Sequence, residues 1–375
     1  MSDQAGEHSD SVQEPQLHKF FRAAAKTHAS DLHLKVGQPP KLRIQGQLKN
    51  TTGEPLTKEK IEEMVFEILT AQQKETFLKV GTFDFAHELS HDERFRINIF
   101  RQRGLISFAA RRVEANIPPF ETLNLPPALE KISESRHGLV LVVGPTGCGK
   151  TTTIAAMIDY INRTRYCHII TLEDPIEYLF TDKKAIVAQR EIGIDVHDFD
   201  EALKYLMRHD PDVVFVGEMR DASTVAAAMR ASETGHLVLG TMHSANAAQA
   251  VQRLLDLFAK DERDLVRQTL SLTLKAIISQ ILIPSIKEGV DRIPAVEILI
   301  NNPSVKKLIA EGRETELPDV IKSNKQDGMQ DFTDNLCELI KNGSVEPKEA
   351  YKYAPNVDEL KMALKGIRSS TRGIL

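Results

Sequence analysis

A glycine-rich segment in the middle of the chain has the composition and spacing of a phosphate-binding loop. It satisfies the pattern G-x-x-x-x-G-K-[ST] with Gly144, Pro145, Thr146, Gly147, Cys148, Gly149, Lys150 and Thr151. In such a loop the backbone N–H groups converge on phosphate oxygens, and the helix that follows adds its dipole. We therefore predict that Lys150 reaches the β- and γ-phosphates of a nucleotide and that the Thr151 hydroxyl binds Mg²⁺.

Two alternative interpretations of this loop are weaker. A glycine-rich turn can simply connect a strand with a helix, but the apolar strand before this loop and the helix after it are the setting of a nucleotide site. A thiol near a helix N-terminus can be reactive, because its pKa is lowered there. We nevertheless interpret Cys148 as a spacer within the loop rather than as a redox residue.

Carboxylates are concentrated in the segment T-L-E-D-P-I-E-Y, residues 171–178, directly after an apolar strand. Doubly wound sheets bind ligands at this end of their strands. Acids beside a polyphosphate would repel it unless they bind a metal ion or accept a proton from water. The segment therefore predicts magnesium positioning and activation of water. In the absence of the phosphate-binding loop, a solvated surface turn would be the default interpretation.

Another acid ends the apolar strand Val213–Val216, in the segment D-V-V-F-V-G-E. Gly217 stands where many P-loop enzymes place a metal-binding aspartate, so Glu218 is the acid at this strand tip. We expect Glu218 to hold Mg²⁺ directly or through water. The alternative is that Glu218 only caps the next helix.

Two histidines, His236 and His243, lie on either side of an apolar strand. A histidine considered alone is more often structural than functional, and these two lack the helical spacing of metal ligands. Near a triphosphate, however, an imidazole can donate to a γ-phosphate oxygen and respond to its loss after hydrolysis.

The stretch from residue 94 to 113 contains six arginines and no acid, namely Arg94, Arg96, Arg101, Arg103, Arg111 and Arg112. Nucleic-acid binding is one interpretation, but few aromatic side chains are interleaved for base stacking. A solvated charged face is another. The sharper hypothesis is that some of these guanidinium groups complete a nucleotide site across a subunit boundary, because their planar forks suit phosphate.

Composition excludes several classes of protein. The 375 residues are 41% hydrophobic and 27% charged, as in ordinary globular chains, and the net charge of 48 − 53 = −5 argues against a general nucleic-acid binder. Three scattered cysteines can form neither a disulfide framework nor a four-cysteine zinc site, so a reducing cytoplasm fits best. No apolar run approaches the roughly 18 residues needed for a membrane span, which predicts no direct membrane insertion.

The pattern along the chain predicts five segments. After residue 15 we expect a small α+β domain with mostly antiparallel strands and helices at Leu17–Ala29 and at about Lys58–Thr70. Four prolines between residues 118 and 127 mark its boundary. Apolar strands that alternate with helices then predict a mostly parallel, doubly wound sheet. From about Asp261 onward the signals are nearly all helical. The segments are a flexible tail (1–15), an N-terminal domain (16–115), a proline-rich linker (116–127), an α/β domain (128–300) and a helical region (301–375).

Four boxes in this order resemble those of the secretion-type P-loop ATPases, and specifically the PilT/PilU family of type IV pilus retraction ATPases. They read GPTGCGKT, TLEDPIEY, DPDVVFVGEMRD and TGHLVLGTMHSANAAQAVQR. The segment SDLHLKVGQPPKLRIQG is similar to the opening of the PAS-like domain in that family, so the resemblance runs from about Leu17 to Leu364. It implies an α/β fold class, with a RecA-like P-loop ATPase domain preceded by a small α+β PAS-like domain.

The same resemblance implies function and partners. It implies a homohexamer that binds ATP and Mg²⁺, works in twitching motility, and docks from the cytoplasm on an inner-membrane pilus platform protein. Glu177 matches the glutamate that activates water, Glu218 the Walker B acid, and His236 and His243 the pair of the His box. Arg96, and either Arg111 or Arg112, best match the arginines that reach the nucleotide from the other domain.

Two departures leave the branch of the family open. The assembly and type II secretion branch carries a four-cysteine zinc module, which this chain cannot build, so retraction is favoured over assembly. Where the retraction motor has A-I-R-N-L-I-R-E, residues 304–311 read S-V-K-K-L-I-A-E. The C-terminal stretch Val357–Gly366 leans toward the accessory PilU-like paralogue. A main motor, an accessory ATPase that acts with a paralogous pilus ATPase, and a non-motor regulatory ring therefore remain as alternatives.

Overall fold

The computed structural model describes residues 14–90 and 93–367, in two compact units that divide the chain between Ala115 and Asn116. Most of the predicted flexible tail and the last eight residues, 368–375, therefore lie outside the described residues. Among the helices of the described ranges, none has both the length and the apolar character that a membrane span requires.

The first unit is an antiparallel six-stranded sheet with three helices. Its elements are α1 (His18–Lys26), β1 (Asp31–Lys35), β2 (Lys41–Ile44), β3 (Gln47–Asn50), α2 (Lys58–Glu67), α3 (Ala71–Val80), β4 (Thr82–Ser90), β5 (Glu93–Gln102) and β6 (Leu105–Arg112). The strand order is β3-β2-β1-β6-β5-β4. Alternate residues of β5 point into the core, where Phe95 stacks on Phe21 of α1 with ring centroids 4.5 Å apart.

The helix that the sequence predicts at Lys58–Thr70 ends earlier, and a second helix, α3, follows it. The reason is a capping box at Thr70. The Thr70 hydroxyl accepts from the backbone N–H of Gln73, and the Gln73 side chain accepts from the backbone N–H of Thr70. These two bonds satisfy N–H groups that a new helix leaves unpaired, so the chain starts α3 here.

The second unit is built on a seven-stranded sheet covered by helices. Its elements are α4 (Ala128–Ser133), β7 (Gly138–Val143), α5 (Lys150–Thr164), β8 (His168–Glu173), β9 (Ile186–Glu191), α6 (Phe199–Leu206), β10 (Val213–Val216), α7 (Ala222–Glu233), β11 (Leu237–Met242), α8 (Ala247–Asp256), α9 (Arg263–Thr273), β12 (Leu274–Pro284), β13 (Arg292–Ile300), α10 (Pro303–Ala310), α11 (Leu317–Ser323), α12 (Phe332–Lys341), α13 (Pro347–Tyr353) and α14 (Val357–Leu364). The strand order is β13-β12-β7-β11-β10-β8-β9. All neighbouring strands are parallel except β12 and β13.

Both faces of this sheet are buried. Leu139 and Leu141 of β7 belong to the core on the side of α7 and α8, whereas Val140 and Val142 belong to the core on the side of α5. Strands buried on both faces read as continuous apolar runs, which is why the sequence reveals them.

The prediction that the chain is almost entirely helical after Asp261 is wrong for β12 and β13. The apolar run of β12 is long enough for either a helix or a strand, and periodicity alone cannot distinguish the two. Here β12 pairs in parallel with β7, and β13 pairs with β12, so the run completes the sheet beside the glycine-rich loop.

The proline-rich stretch predicted as a linker has no helix or strand between residues 117 and 127. Two of its side chains nevertheless enter the core of the second unit. Phe120 and Leu125 are 3% and 7% exposed, and the Phe120 ring lies 5.7 Å from the ring of Tyr160 on α5. The stretch is therefore part of the packed second unit.

We expect Phe120→Ala to lower the free energy of unfolding of the second unit by about 3–5 kcal/mol, because it leaves a cavity beside α5. Denaturant titration of the full chain measures this loss. The matched control is Tyr166→Ala, since Tyr166 is 87% exposed. Equal stability of the Phe120 variant and the control would contradict the packing of this stretch.

Candidate active site

The carboxyl ends of β7, β8, β10 and β11 meet at one edge of the second unit's sheet, because these strands are parallel. A cleft of 210 Å³ lies at this edge, lined by Thr146, Gly147, Lys150, Thr151, Glu173, Asp174, Pro175, Glu177, Phe199, Phe215, Gly217, Glu218, Arg220, Thr241 and His243. The structure thus brings Lys150, Thr151, Glu177, Glu218 and His243 together, although they are spread over almost a hundred residues of sequence.

The glycine-rich loop connects β7 to α5 and contains backbone conformations that favour glycine. Gly144 has a φ of +155°, and a Cβ there would lie 2.3 Å from the Gln280 carbonyl oxygen. The loop ends at Gly149, with a φ of +89°, and α5 begins at Lys150. Lys150 Nζ donates to the carbonyl oxygens of Gly144 and Pro145, both at 3.0 Å, so the ammonium group lies over the loop.

The side chain of Gln280 on β12 is hydrogen-bonded to this loop, and the sequence analysis did not identify this residue. Its side chain is 3% exposed, and its Nε2 donates to the Cys148 carbonyl oxygen at 2.6 Å. The Thr153 hydroxyl donates to Gln280 Oε1 at 2.7 Å, which ties the first turn of α5 to the same amide. No local signal marks Gln280, because its partners lie 127 and 132 residues away in the sequence.

The Cys148 side chain is buried inside the loop. Burial raises the pKa of its thiol above the ordinary value, although the Lys150 charge opposes this. Because the thiolate is the reactive form, the structure favours the spacer interpretation over a redox role.

Glu218, just after the end of β10, lies between the side chains of Arg220 and His243. Its Oε2 accepts from Arg220 Nη2 at 2.6 Å, and its Oε1 lies 3.2 Å from His243 Nε2. Burial disfavours its charged form, but the bond from Arg220 and the nearby charges of Arg220, His243 and Lys150 outweigh burial and hold the pKa of Glu218 below its ordinary value. The Glu218 carboxyl group is therefore ionised at neutral pH.

The glycine before Glu218 has a steric cause. A Cβ on Gly217 would lie 3.1 Å from the Leu172 carbonyl oxygen and 3.4 Å from Glu173 Cα. A side chain at this position would be in tight contact with the end of β8, whereas the side chain of Glu218, one residue later, lies in the cleft.

The acids of residues 171–178 occupy contrasting environments. Glu173 ends β8 and is 3% exposed, and burial raises its pKa to about 7 although the Thr171 hydroxyl donates to it at 2.7 Å. Glu177, four residues later, is exposed. A buried acid and an exposed acid therefore line the same cleft.

The two histidines lie at opposite ends of β11. His243 follows the carboxyl end and lines the cleft. His236 precedes the amino end, where its Nδ1 lies 2.9 Å from the Ala231 carbonyl oxygen. The whole of β11 separates them, so His243 lies at the cleft and His236 lies at the opposite end of the strand.

The candidate arginines belong to the first unit, on β5 and β6. Arg96 and Arg111 are cross-strand neighbours and so share a face of the sheet. Arg112 pairs instead with Phe95 on the core-facing side, where its Nη2 lies 3.3 Å from Glu93 Oε1. Arg111 is 74% exposed, and its Nε donates to Asp31 Oδ1 at 2.9 Å.

Glu297 on β13 is another residue that sequence reasoning missed. It accepts from the backbone N–H of Ala247 at 2.8 Å and from the Ser279 hydroxyl at 3.3 Å. Burial raises its pKa to about 7. Because Ala247 is the first residue of α8, Glu297 fixes the end of the short loop that carries His243.

The fold and the cleft together define the class of protein. A mostly parallel sheet with a phosphate-binding loop after one strand and acids at the tips of two others is the core of a P-loop ATPase.

Comparison with known proteins identifies the family. The model of the family described as "Type II/IV secretion system protein" matches residues 120–351. Two relatives from Pseudomonas aeruginosa are similar over most of the chain. The type IV pilus ATPase PilU is 38% identical over 93% of this chain and 91% of its own length. The type IV pilus retraction ATPase PilT is 39% identical over 88% and 96%, respectively.

A solved structure agrees with these relatives. The crystal structure of the pilus retraction motor PilT with bound ADP is 41% identical, has a TM-score of 0.84, and matches 93% of this chain and 99% of that chain. The chain therefore belongs to the type II/IV secretion system family, in its PilT/PilU group of type IV pilus ATPases. It is a nucleotide-binding ATPase with a RecA-like domain after a small α+β domain, as the sequence predicts.

We expect Glu297→Gln to flatten the dependence of stability on pH. Between about pH 4.5 and 7 the folded protein keeps a proton on Glu297 that the unfolded chain releases. The stabilisation is fully present below this window and is lost as the pH rises through it. Denaturant titrations of wild type and variant across these pH values measure the two slopes. Glu54→Gln, at an exposed site, is the control, and equal slopes in all three proteins would contradict the prediction.

Proposed function

We propose that this protein is a hexameric motor ATPase that couples ATP hydrolysis to retraction of type IV pili, and thereby to twitching motility. The observation that carries the proposal is the single cleft lined by Lys150, Thr151, Glu177, Glu218 and His243. Relatives named as pilus retraction proteins, which align along nearly their whole length, support retraction as the work performed.

The side chains of the cleft suit the steps of hydrolysis. Lys150, the loop amides and the N-terminus of α5 bind the phosphates. Thr151 and Glu218 offer the hydroxyl and carboxylate oxygens that Mg²⁺ prefers, and the bound ion would neutralise phosphate charge. Glu177 accepts a proton from the attacking water, and His243 donates to the γ-phosphate.

Charges from the first unit complete the site in this proposal. Arg96 and Arg111 share one face of the sheet, and they suit phosphate recognition from a neighbouring subunit. Arg112 is the weaker candidate, because its side chain is 16% exposed whereas that of Arg111 is 74% exposed. This geometry favours Arg111 over Arg112 as the second arginine.

Work on a pilus requires partners. We propose that the homohexamer acts in the cytoplasm, at the inner membrane, and transmits its motion to an integral pilus platform protein. Closure of the two units of each subunit on ATP would supply the movement. Nucleic acid has no place in this function.

An accessory role is the second candidate. The PilU relative matches a larger share of this chain than the PilT relative does, 93% against 88%. The C-terminal helix α14 is packed rather than loose, since Leu360 is fully buried. In this role the protein would form a ring that acts with, or modulates, a paralogous pilus ATPase.

We expect Glu177→Gln to slow ATP turnover by about 10² or more while nucleotide still binds, because the general base is lost. Lys150→Ala should abolish turnover by removing the phosphate contact. Phosphate release and nucleotide binding by the purified full chain measure both effects. The matched control is Glu54→Gln, an exposed acid of the first unit. A wild-type rate in the Glu177 variant would remove that residue from the role of base.

Deletion of the gene in its host separates the two candidate functions. A main retraction motor predicts cells with excess surface pili and no twitching, because pili assemble but are not withdrawn. An accessory ATPase predicts piliated cells with weakened twitching. Pilus counts by electron microscopy and twitching zones on agar measure the outcome, and cells without pili would contradict both roles.

A further inference from the structure

The Glu177 carboxylate has no bonds of its own that hold it in the cleft. Within residues 14–90 and 93–367 it makes no hydrogen bond or ion pair, and it is exposed. A general base must nevertheless be held within hydrogen-bond reach of the water that it activates. Its position therefore depends on the backbone of its own turn, residues 173–178.

Glu173 anchors the beginning of this turn. Its buried carboxyl group accepts from the Thr171 hydroxyl at 2.7 Å, from Gln189 Nε2 at 3.0 Å, and from the backbone N–H of Glu177. The last of these bonds connects Glu173 directly with the main chain of the proposed base.

Gln189 on β9 anchors the other end of the turn. Its Nε2 also donates to the Tyr178 carbonyl oxygen at 2.9 Å, and its Oε1 accepts from the backbone N–H of Phe180 at 2.9 Å. Only one orientation of the amide satisfies all three partners, because the group must donate to two oxygens and accept from one N–H. Gln189 lies opposite Thr171 in the parallel pairing of β8 and β9, which places its side chain beside Glu173.

We propose that Glu173 and Gln189 form a clamp that positions Glu177 for ATP hydrolysis. Both are positioning residues, since they act through the turn rather than on the nucleotide. The inference rests on the proposed role of Glu177 as the base. Gln189 lies in β9, in a segment that carries no phosphate-binding pattern in the sequence.

The test is a pair of substitutions in two backgrounds of the full chain. Gln189→Leu keeps the approximate size of the side chain and removes its three hydrogen bonds. We expect kcat to fall by about 10- to 10²-fold with little change in the KM for ATP, because the base is misplaced while the phosphate loop is intact. In the Glu177→Gln background the same substitution should cost almost nothing further, because the group that it positions is already absent.

A matched control separates positioning from general loss of structure. Gln330 is also half-buried, and its Nε2 donates to the Val296 carbonyl oxygen at 2.8 Å, away from the cleft. Gln330→Leu should lower the melting temperature to a similar extent as Gln189→Leu but leave kcat unchanged.

Exchanging the residue types at positions 173 and 189 provides a rescue experiment for kcat. Gln189→Glu alone sets two carboxyl groups against each other and should lower kcat. The double variant Glu173→Gln, Gln189→Glu restores an amide–carboxylate pair and should recover part of the rate. No recovery, or an equal loss from Gln189→Leu in both backgrounds, would overturn the clamp while leaving the proposed function intact. A wild-type rate for Glu177→Gln alone would overturn the role of Glu177 and the clamp with it.

Discussion

Parallel hydrogen bonding among β7, β11, β10 and β8 is the constraint on which the site depends. The register sets Val143 opposite Met242, and Val216 opposite both Gly240 and Leu172. The residues that follow these positions must therefore emerge side by side at one edge. Because both faces of the sheet are buried, a slip of one residue would exchange the side chains packed on the α5 side with those packed on the side of α7 and α8. Both closely packed cores would be disrupted, so the register is firmly determined.

Two side-chain amides, the buried one of Gln280 and the half-buried one of Gln189, fix the loops that follow the strands. A loop that follows a strand is free to move unless its backbone groups are bonded, and here Gln280 bonds the phosphate loop while Gln189 bonds the turn of Glu177. Each amide donates and accepts at once, so each ties two segments together. Leaving such polar groups unpaired would raise the free energy of the folded state, so these hydrogen bonds stabilise the arrangement of the loops.

The parts of the site that follow local patterns could be predicted from the sequence, and the parts that depend on tertiary contacts could not. The phosphate loop and the acids that follow the strands lie in contiguous segments, so their chemistry can be predicted from the order of the residues. The prediction of helix in the region of β12 is wrong because the hydrophobic pattern of a long apolar run does not distinguish a helix from a strand. Gln280 and Glu297 could not be found, since their partners are distant in sequence. The positions of His236 and His243 at opposite ends of β11 could be placed relative to the cleft only once the strand and its neighbours were known.

Three acids of one cleft are kept in different states by their surroundings, and this difference divides their roles. Burial favours the protonated form of Glu173, with a pKa of about 7, and so reduces the repulsion that a further carboxylate would exert on a polyphosphate. Arg220 helps to keep Glu218 ionised, which suits its proposed role as a ligand of Mg²⁺. Glu177 is exposed, which suits its proposed role as a base that contacts water. These three environments differ because the acids come from the end of β8, from the turn after it and from the tip of β10, at different depths of the same edge.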